Sequence, residues 1–345
     1  MQQVTKDIDT SEFDQAAQLD ELQRINRNLQ RQLRQARSKK EDLVIATMAG
    51  ARDAMRSMGP IKPVPTPKKG PRKAGSLEVA LWDLGDWQGS KKTASYNSEV
   101  MRERVMLYCA KAAKITEIQR ADHPVHDCTI IFGGDMVEGL FNFAQQVFEV
   151  DQTLFGQFTT VSRLLIEVVR FALSIYQRVT VVAEWGNHGR IGSKRDSVPS
   201  HDNIDRMCYE FARSMLEGEP RLTWDDCPED IQRVEIGNYR ALAIHGDEIG
   251  RNGFASPATL INWVVRQKSG AYPWAFRDVY SHHYHTIAEY SLPDGLGALY
   301  QNASTESDNR YAGVTMAASA VPSQRLHFID PEAGRVTGQW KVWLA

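Results

Sequence analysis

The sequence predicts an α/β domain with an N-terminal helical, coiled-coil extension, on three observations. From residue 77 onward, short β-type runs alternate with helical stretches, the pattern of layered α/β folds. Residues 1–58 read as helix and contain an apolar heptad. Between these, residues 59–76 hold five prolines, five basic residues and no acid, a density that no helix or central strand survives. The expected organisation is a coiled-coil segment at 1–58, a Pro/Lys-rich linker at 59–76 and one large domain at 77–345.

The heptad runs from Leu19 to Leu43, with Leu19, Asn26, Leu33 and Lys40 at a and Leu22, Leu29, Ala36 and Leu43 at d. A lone Asn at an a position among d leucines fixes a two-stranded register, so the expected partner is a second copy of the chain. The competing reading is a solvated helix that packs one apolar stripe on the body. The linker reads as an extended spacer, partly polyproline II. In the body, strands are expected at 77–84, 128–132, 179–184, 233–236, 239–244 and 278–281, and helices at 97–119, 151–176, 202–217 and 256–267. Two late strands, 323–329 and 335–344, flank Pro331-Glu332-Ala333-Gly334, which suits a hairpin turn.

Composition excludes several classes. With 42% hydrophobic and 24% charged residues in 345, the chain is neither disordered nor collagen-like. No apolar run approaches the roughly 20 residues that span a bilayer. The first residues lack the basic and apolar regions of a secretory signal. Cys109, Cys128, Cys208 and Cys227 form no CxxC pair and read as free thiols. A soluble, cytoplasmic protein with no membrane partner is the expectation. The net charge of -2 conceals a division: residues 1–76 carry 15 basic and 9 acidic residues, whereas residues 77–345 carry 26 and 34. A basic arm suits an anionic partner, but an acidic body is poor at gathering phosphates without bound cations.

The chemistry lies at the strand ends. The expected strands are followed by Gly85-Asp86-Trp87-Gln88-Gly89, Gly133-Gly134-Asp135, Gly186-Asn187-His188-Gly189-Arg190, His245-Gly246-Asp247 and His282-His283-Tyr284-His285. Sites in open α/β sheets gather at the carboxyl ends of strands, so these loops can converge. The donors are oxygen and nitrogen with no thiolate, a set that suits Mn²⁺, Fe, Zn²⁺ or a similar ion. One shared aspartate with imidazoles around it is a way to hold two ions about 3.5–4 Å apart. Taken singly, each piece reads more readily as a turn or as a strand with satisfied imidazoles; together and in order they point to metal. The alternate spacing of His283 and His285 places both on one face of an extended strand.

In this order the motifs resemble those of the calcineurin-like metallophosphoesterase superfamily: Asp-x-His, Gly-Asp, Gly-Asn-His, a lone His and Gly-His-x-His. The resemblance covers about residues 77–290. It implies a four-layer α/β/β/α sandwich and two divalent ions, Mn²⁺ first, with Fe, Zn²⁺ or Mg²⁺ as alternatives. One ion would take Asp86, Gln88, Asp135 and His285; the other would take Asp135, Asn187, His245 and His283. Gln88 stands where the family has histidine, and His282 where it has glycine. The implied reaction is attack of a metal-bridging hydroxide on phosphorus, with His188 assisting and protonating the leaving oxygen. Arg190 could hold a phosphate oxygen, or be an ordinary surface arginine.

The body also resembles compact phage and prophage phosphoesterases and, more distantly, the double-strand-break repair exonuclease branch. The residues behind this are 134–139, 186–190 and the loop 304–309. A phage origin would mean the host cytoplasm. The expected function is a phosphodiesterase, with DNA as a candidate substrate and nuclease action as its form. The alternatives are a phosphomonoesterase or small-nucleotide phosphatase, and a non-catalytic scaffold with a degenerate metal site.

Overall fold

The computed structural model describes residues 31, 42–51, 53, 54, 57, 59, 61–68, 75–142, 146–192, 202–225, 230–249, 255–293, 295, 297–308 and 321–345. The chain divides into two compact units, Met1–Gly50 and Ala51–Ala345. In the first, residues 42–50 are helical. Nearly all of the heptad at 19–43 lies outside the described residues, as does Cys227.

The second unit is a mixed α/β structure with two mixed sheets. Its strands are β1 (Glu78–Leu84), β2 (Val125–Gly133), β3 (Arg178–Glu184), β4 (Leu222–Trp224), β5 (Gln232–Ile236), β6 (Tyr239–Ile244), β7 (Asp278–Ser281), β8 (Ala288–Ser291), β9 (Ala298–Gln301), β10 (Ser323–Asp330) and β11 (Arg335–Trp343). Its helices are α1 (Ser98–Gln119), α2 (Leu154–Ile175), α3 (Ile204–Met215) and α4 (Pro257–Arg266). One sheet runs β11-β10-β1-β2-β3-β4 and the other β5-β6-β7-β9-β8. The central strands β1, β2 and β3 pair in parallel, as do β6, β7 and β9.

Each helix begins where a side chain can accept an orphan amide. Asn97, Thr153, Asn203 and Ser256 cap α1 to α4, and Pro257 opens α4, where a missing N–H costs nothing. The expected helices are thus present but shorter by a few residues at most. The strands β4, β8 and β9 have no counterpart in the sequence reading. They are three to four residues long, too short for periodicity to register. The late hairpin forms as expected, with Gly334 in the left-handed region.

Alternation along β1 sorts the core. Ala80, Trp82 and Leu84 join Ile130, Phe132 and Val181 in a cluster with α1, α2 and α3. Leu81 joins Ile131, Val182 and Ile329 in a second cluster with Val234, Ala241, Ala243, Tyr280 and Tyr300 of the other sheet. Leu242, Ile244, Val279 and Leu299 form a third with Leu260 and Val264 of α4. Trp82 anchors the first, edge-on to Tyr108 at 5.6 Å between centroids, its indole N–H donating to Tyr176 at 3.2 Å. Cys109, Cys128 and Cys208 are buried free thiols. Among the described residues, no helix is long and apolar enough to cross a membrane.

The linker, expected as a spacer, is attached where it is described. Residues 61–68 have no helix or strand. The Arg170 guanidinium donates to the Lys62 carbonyl at 2.7 Å and that of Arg221 to the Val64 carbonyl at 2.7 Å. The Val64 amide donates to Glu219 at 2.9 Å, while Ile61 and Val64 pack on the first core cluster. Prolines cannot build a ladder, so side chains supply the hydrogen bonds here.

Candidate metal centre

Strand pairing continues past the strand ends and brings the motif loops together. Beyond β1 and β2, the amides of Asp86, Gln88 and Gly89 donate to the carbonyls of Gly134, Asp135 and Met136 at 2.8 to 2.9 Å. Beyond β6 and β7, the His282 amide donates to the His245 carbonyl at 2.8 Å. The Gly186 loop lies against the Gly134 loop so closely that a Cβ on Gly186 would overlap the Asp135 carboxylate. Among the described residues, seven non-glycine positions have positive φ, and Asp86, Gln88, Asp135, His283 and His285 are five of them. Left-handed backbone at non-glycine residues gathers at functional sites, where surrounding structure holds it.

All seven candidate ligands meet here. The His245 Nε2 lies 3.0 Å from Asp135 Oδ2 and 3.2 Å from Asn187 Oδ1. Its Nδ1 is 2.8 Å from the Gly133 carbonyl, which requires the proton on Nδ1. Asp135, His245 and His283 each offer one ligand atom within 4.8 Å of the others. The His283 ring stands edge-on to that of His245 at 5.1 Å, and its amide donates to Asp86 Oδ2 at 3.1 Å. Around Gln88, the amide nitrogen is 3.4 Å from Asp135 Oδ2 and 3.3 Å from His285 Nε2. His285 Nε2 is in turn 3.4 Å from Asp86 Oδ1.

The donor set fits a cation. Gln88 is 1% exposed, and its buried side-chain oxygen has no hydrogen-bond partner among the described residues. His245 Nε2 faces two oxygens, Asp135 Oδ2 and Asn187 Oδ1, which need positive charge between them. Without a metal, protons supply that charge. Burial works to lower the His245 pKa, but the Asp135 carboxylate outweighs it and holds it well above the ordinary value. Burial likewise opposes protonation of His285, and Glu306 and Asp86 override it. Burial alone would raise the Asp135 pKa; the His245, His188 and His283 imidazoles hold it far below the carboxylate range. Burial, reinforced by His245, pushes His283 down to about 4.

His188 lies next to this group. Its backbone N–H donates to Asp135 Oδ1 at 2.7 Å, and its Nδ1 is 3.2 Å from Glu138 Oε2. Burial would lower its pKa, but Glu138 and then Asp135 outweigh that and raise it to about 9. Lys91 binds Glu138 at 3.2 Å and Glu149 at 2.8 Å. Burial opposes the Lys91 charge, yet the two carboxylates push its pKa to about 12. The Arg190 Nη1 is 2.8 Å from Oδ2 of the buried Asp247 carboxylate.

One expectation about the His triplet needs correction. His283 and His285 do not share a strand face, because β7 ends at Ser281 and both sit in left-handed backbone, φ 72° and 53°. The turn, not strand alternation, aims them. His282 points away from the other two. Its Nε2 is 2.9 Å from Asp83, and its ring fills a slot against Gly133, where a Cβ would collide with it.

The stretches 134–139 and 304–309 stand out in the sequence, but the roles of Glu138, Ser304 and Glu306 within them do not. Glu306 Oε1 is 2.7 Å from His285 Nδ1, which fixes the tautomer that aims Nε2 at Gln88 and Asp86. In the same loop, Ser304 donates to the Asp86 carbonyl at 2.6 Å. That loop therefore braces the site. Glu138 is signalled only by its position three residues after Asp135.

No family profile matches the sequence, and no curated protein is similar to it at the sequence level. Solved structures resemble it weakly in fold. Vps29 from Entamoeba histolytica, complexed with Zn²⁺, is 10% identical over 77% of this chain and 99% of its own, with a TM-score of 0.35. A hypothetical protein from Pyrococcus horikoshii is 11% identical over 77% and 89%, at 0.36. A predicted phosphoesterase from Streptococcus pneumoniae is 8% identical over 77% and 99%, at 0.28. Nothing about activity follows from similarities of this size.

Proposed function

We propose that the chain is a binuclear metal-dependent phosphoester hydrolase, a phosphodiesterase built on a four-layer α/β/β/α sandwich. The observation that carries this reading is the meeting of Asp86, Gln88, Asp135, Asn187, His245, His283 and His285 around an amide oxygen that has no hydrogen-bond partner among the described residues and an imidazole nitrogen facing two oxygens. The three apolar clusters support the layering.

Asp86, Gln88, Asp135 and His285 would hold one cation; Asp135, Asn187, His245 and His283 would hold the second. Divalent cations so held would neutralise charge on the phosphoryl oxygens and lower the pKa of coordinated water. The chain's own contribution begins at His188. The Nδ1–H of His188 faces the Glu138 carboxylate, which leaves Nε2 to carry the proton that the leaving oxygen receives. Lys91 neutralises Glu138, so the shared proton stays on the imidazole. With a side chain 17% exposed, His188 remains accessible to substrate. An intact His188–Glu138 pair favours an enzyme over a scaffold with a degenerate site.

DNA is the narrower substrate proposal, and it rests on the basic arm at 1–76. The test is a panel of bis-p-nitrophenyl phosphate, p-nitrophenyl phosphate, single-stranded DNA and double-stranded DNA, each with Mn²⁺, Mg²⁺ or EDTA. The reading expects diester hydrolysis that EDTA abolishes. Faster hydrolysis of the monoester would assign a phosphomonoesterase, and no turnover of any substrate by metal-loaded protein would assign the scaffold.

A further inference from the structure

We propose that Asp205 is a positioning residue that locks the Asp135 loop to the Asn187–His188 loop in the arrangement metal binding needs. This rests on the proposed metal centre. Asp205 is the second residue of α3, where an acid ordinarily faces its own helix's free amides. Here the carboxylate turns outward to two other segments. Oδ1 accepts from the Met136 and Val137 amides, each at 3.1 Å, and Oδ2 accepts from the Gly186 amide at 3.0 Å. One side chain thus holds the residues that follow Asp135 and the residue that precedes Asn187.

The helix start reinforces the clamp. The Asn203 side-chain amide donates to the Gly186 carbonyl at 2.7 Å, while its oxygen accepts from the Asp205 amide at 2.8 Å. The Ile204 amide donates to the Gly189 carbonyl at 2.8 Å. Both backbone groups of Gly186 are therefore held by the first turn of α3. Asp205 is 0% exposed, and a buried carboxylate is costly unless its hydrogen bonds are specific. Here they fall on the two loops that the shared ligand Asp135 and Asn187 must bring together.

The test is a Mn²⁺ titration of the metal-free full chain followed by electron paramagnetic resonance. In Asp205→Asn, one oxygen can still serve Met136 and Val137, but the new NH₂ faces the Gly186 N–H, donor against donor. Asn203→Asp keeps the acceptor for the Asp205 amide and sets a carboxylate against the Gly186 carbonyl, so it loosens the same loop in a capped helix. Tyr108→Phe is the control: it removes a buried 2.6 Å bond to the Arg325 carbonyl of β10, outside both loops. Orienting partners of ligands are typically worth about 10–100-fold in metal affinity. The expected result is a loss of that size for one of two Mn²⁺ ions in both Asp205→Asn and Asn203→Asp, with Tyr108→Phe unchanged. Wild-type affinity in Asp205→Asn overturns the proposal. Equal weakening in all three variants also overturns it, because the effect would then be general loosening. If the wild-type chain binds no Mn²⁺, the metal reading itself fails, and this inference with it.

Discussion

His188 is the residue on which chemistry and metal assembly can be separated. His188→Asn leaves the proposed ligands intact, so metal content should persist while turnover falls by about 10²–10⁴-fold. The loss should be smaller with p-nitrophenolate as leaving group, which hardly needs a proton. Asp135→Asn should lose metal and activity together, as read by elemental analysis beside the rate. The imidazole also carries a pH signature in the metal-free chain. Its pKa rises from 6.5 to about 9 because Glu138 and Asp135 outweigh burial. The raised value contributes stability fully below about pH 6.5, and that contribution is lost as pH rises through about 9. Glu138→Gln should lower this pKa in an NMR titration and flatten that part of the stability profile. His245 and His285 are likewise held protonated, and a cation must displace those protons. Mn²⁺ affinity should therefore increase with pH, with proton release measurable by calorimetry in buffers of different ionisation enthalpy. At this scale the ligand candidates were legible because each motif is contiguous. Their supports were not: Glu306 lies 21 residues from His285 and Asp205 lies 69 from Met136, so only the fold makes them neighbours.

At the scale of elements, Arg221 joins several pieces of chain. It donates to the Leu173 carbonyl at 2.9 Å, the Tyr176 carbonyl at 3.1 Å and the Val64 carbonyl at 2.7 Å. Arg221→Ala leaves these acceptors unpaired and should cost about 1–3 kcal/mol in urea unfolding. It should also open residues 61–68 to proteolysis. If their cleavage rate does not change, the strap is not held as described. The long helices and central strands were legible from periodicity and caps, since Asn97, Thr153, Asn203 and Ser256 mark the helix starts. The strap was not, because a proline-rich basic run reads the same whether it is free or docked.

For the whole molecule, the proposed partner is a second copy joined through the heptad at 19–43. Removing residues 1–58 should convert a dimer to a monomer by light scattering; a dimer that persists would move the interface to the body. The basic arm should likewise matter to DNA binding, with the salt dependence reduced when residues 1–76 are absent. The α/β class was legible from alternating strands and helices, and the site from its strand-end motifs. Which sheet each strand joins was not, since β10 pairs with β1 from more than two hundred residues away. The central claim, that these loops form a two-metal centre sharing Asp135, is tested most directly by anomalous scattering from crystals grown with Mn²⁺. The account predicts two peaks beside the Asp135 carboxylate, one toward Gln88 and His285 and the other toward Asn187 and His245. No peak at Asp135, or a peak coordinated only by other residues, would contradict it.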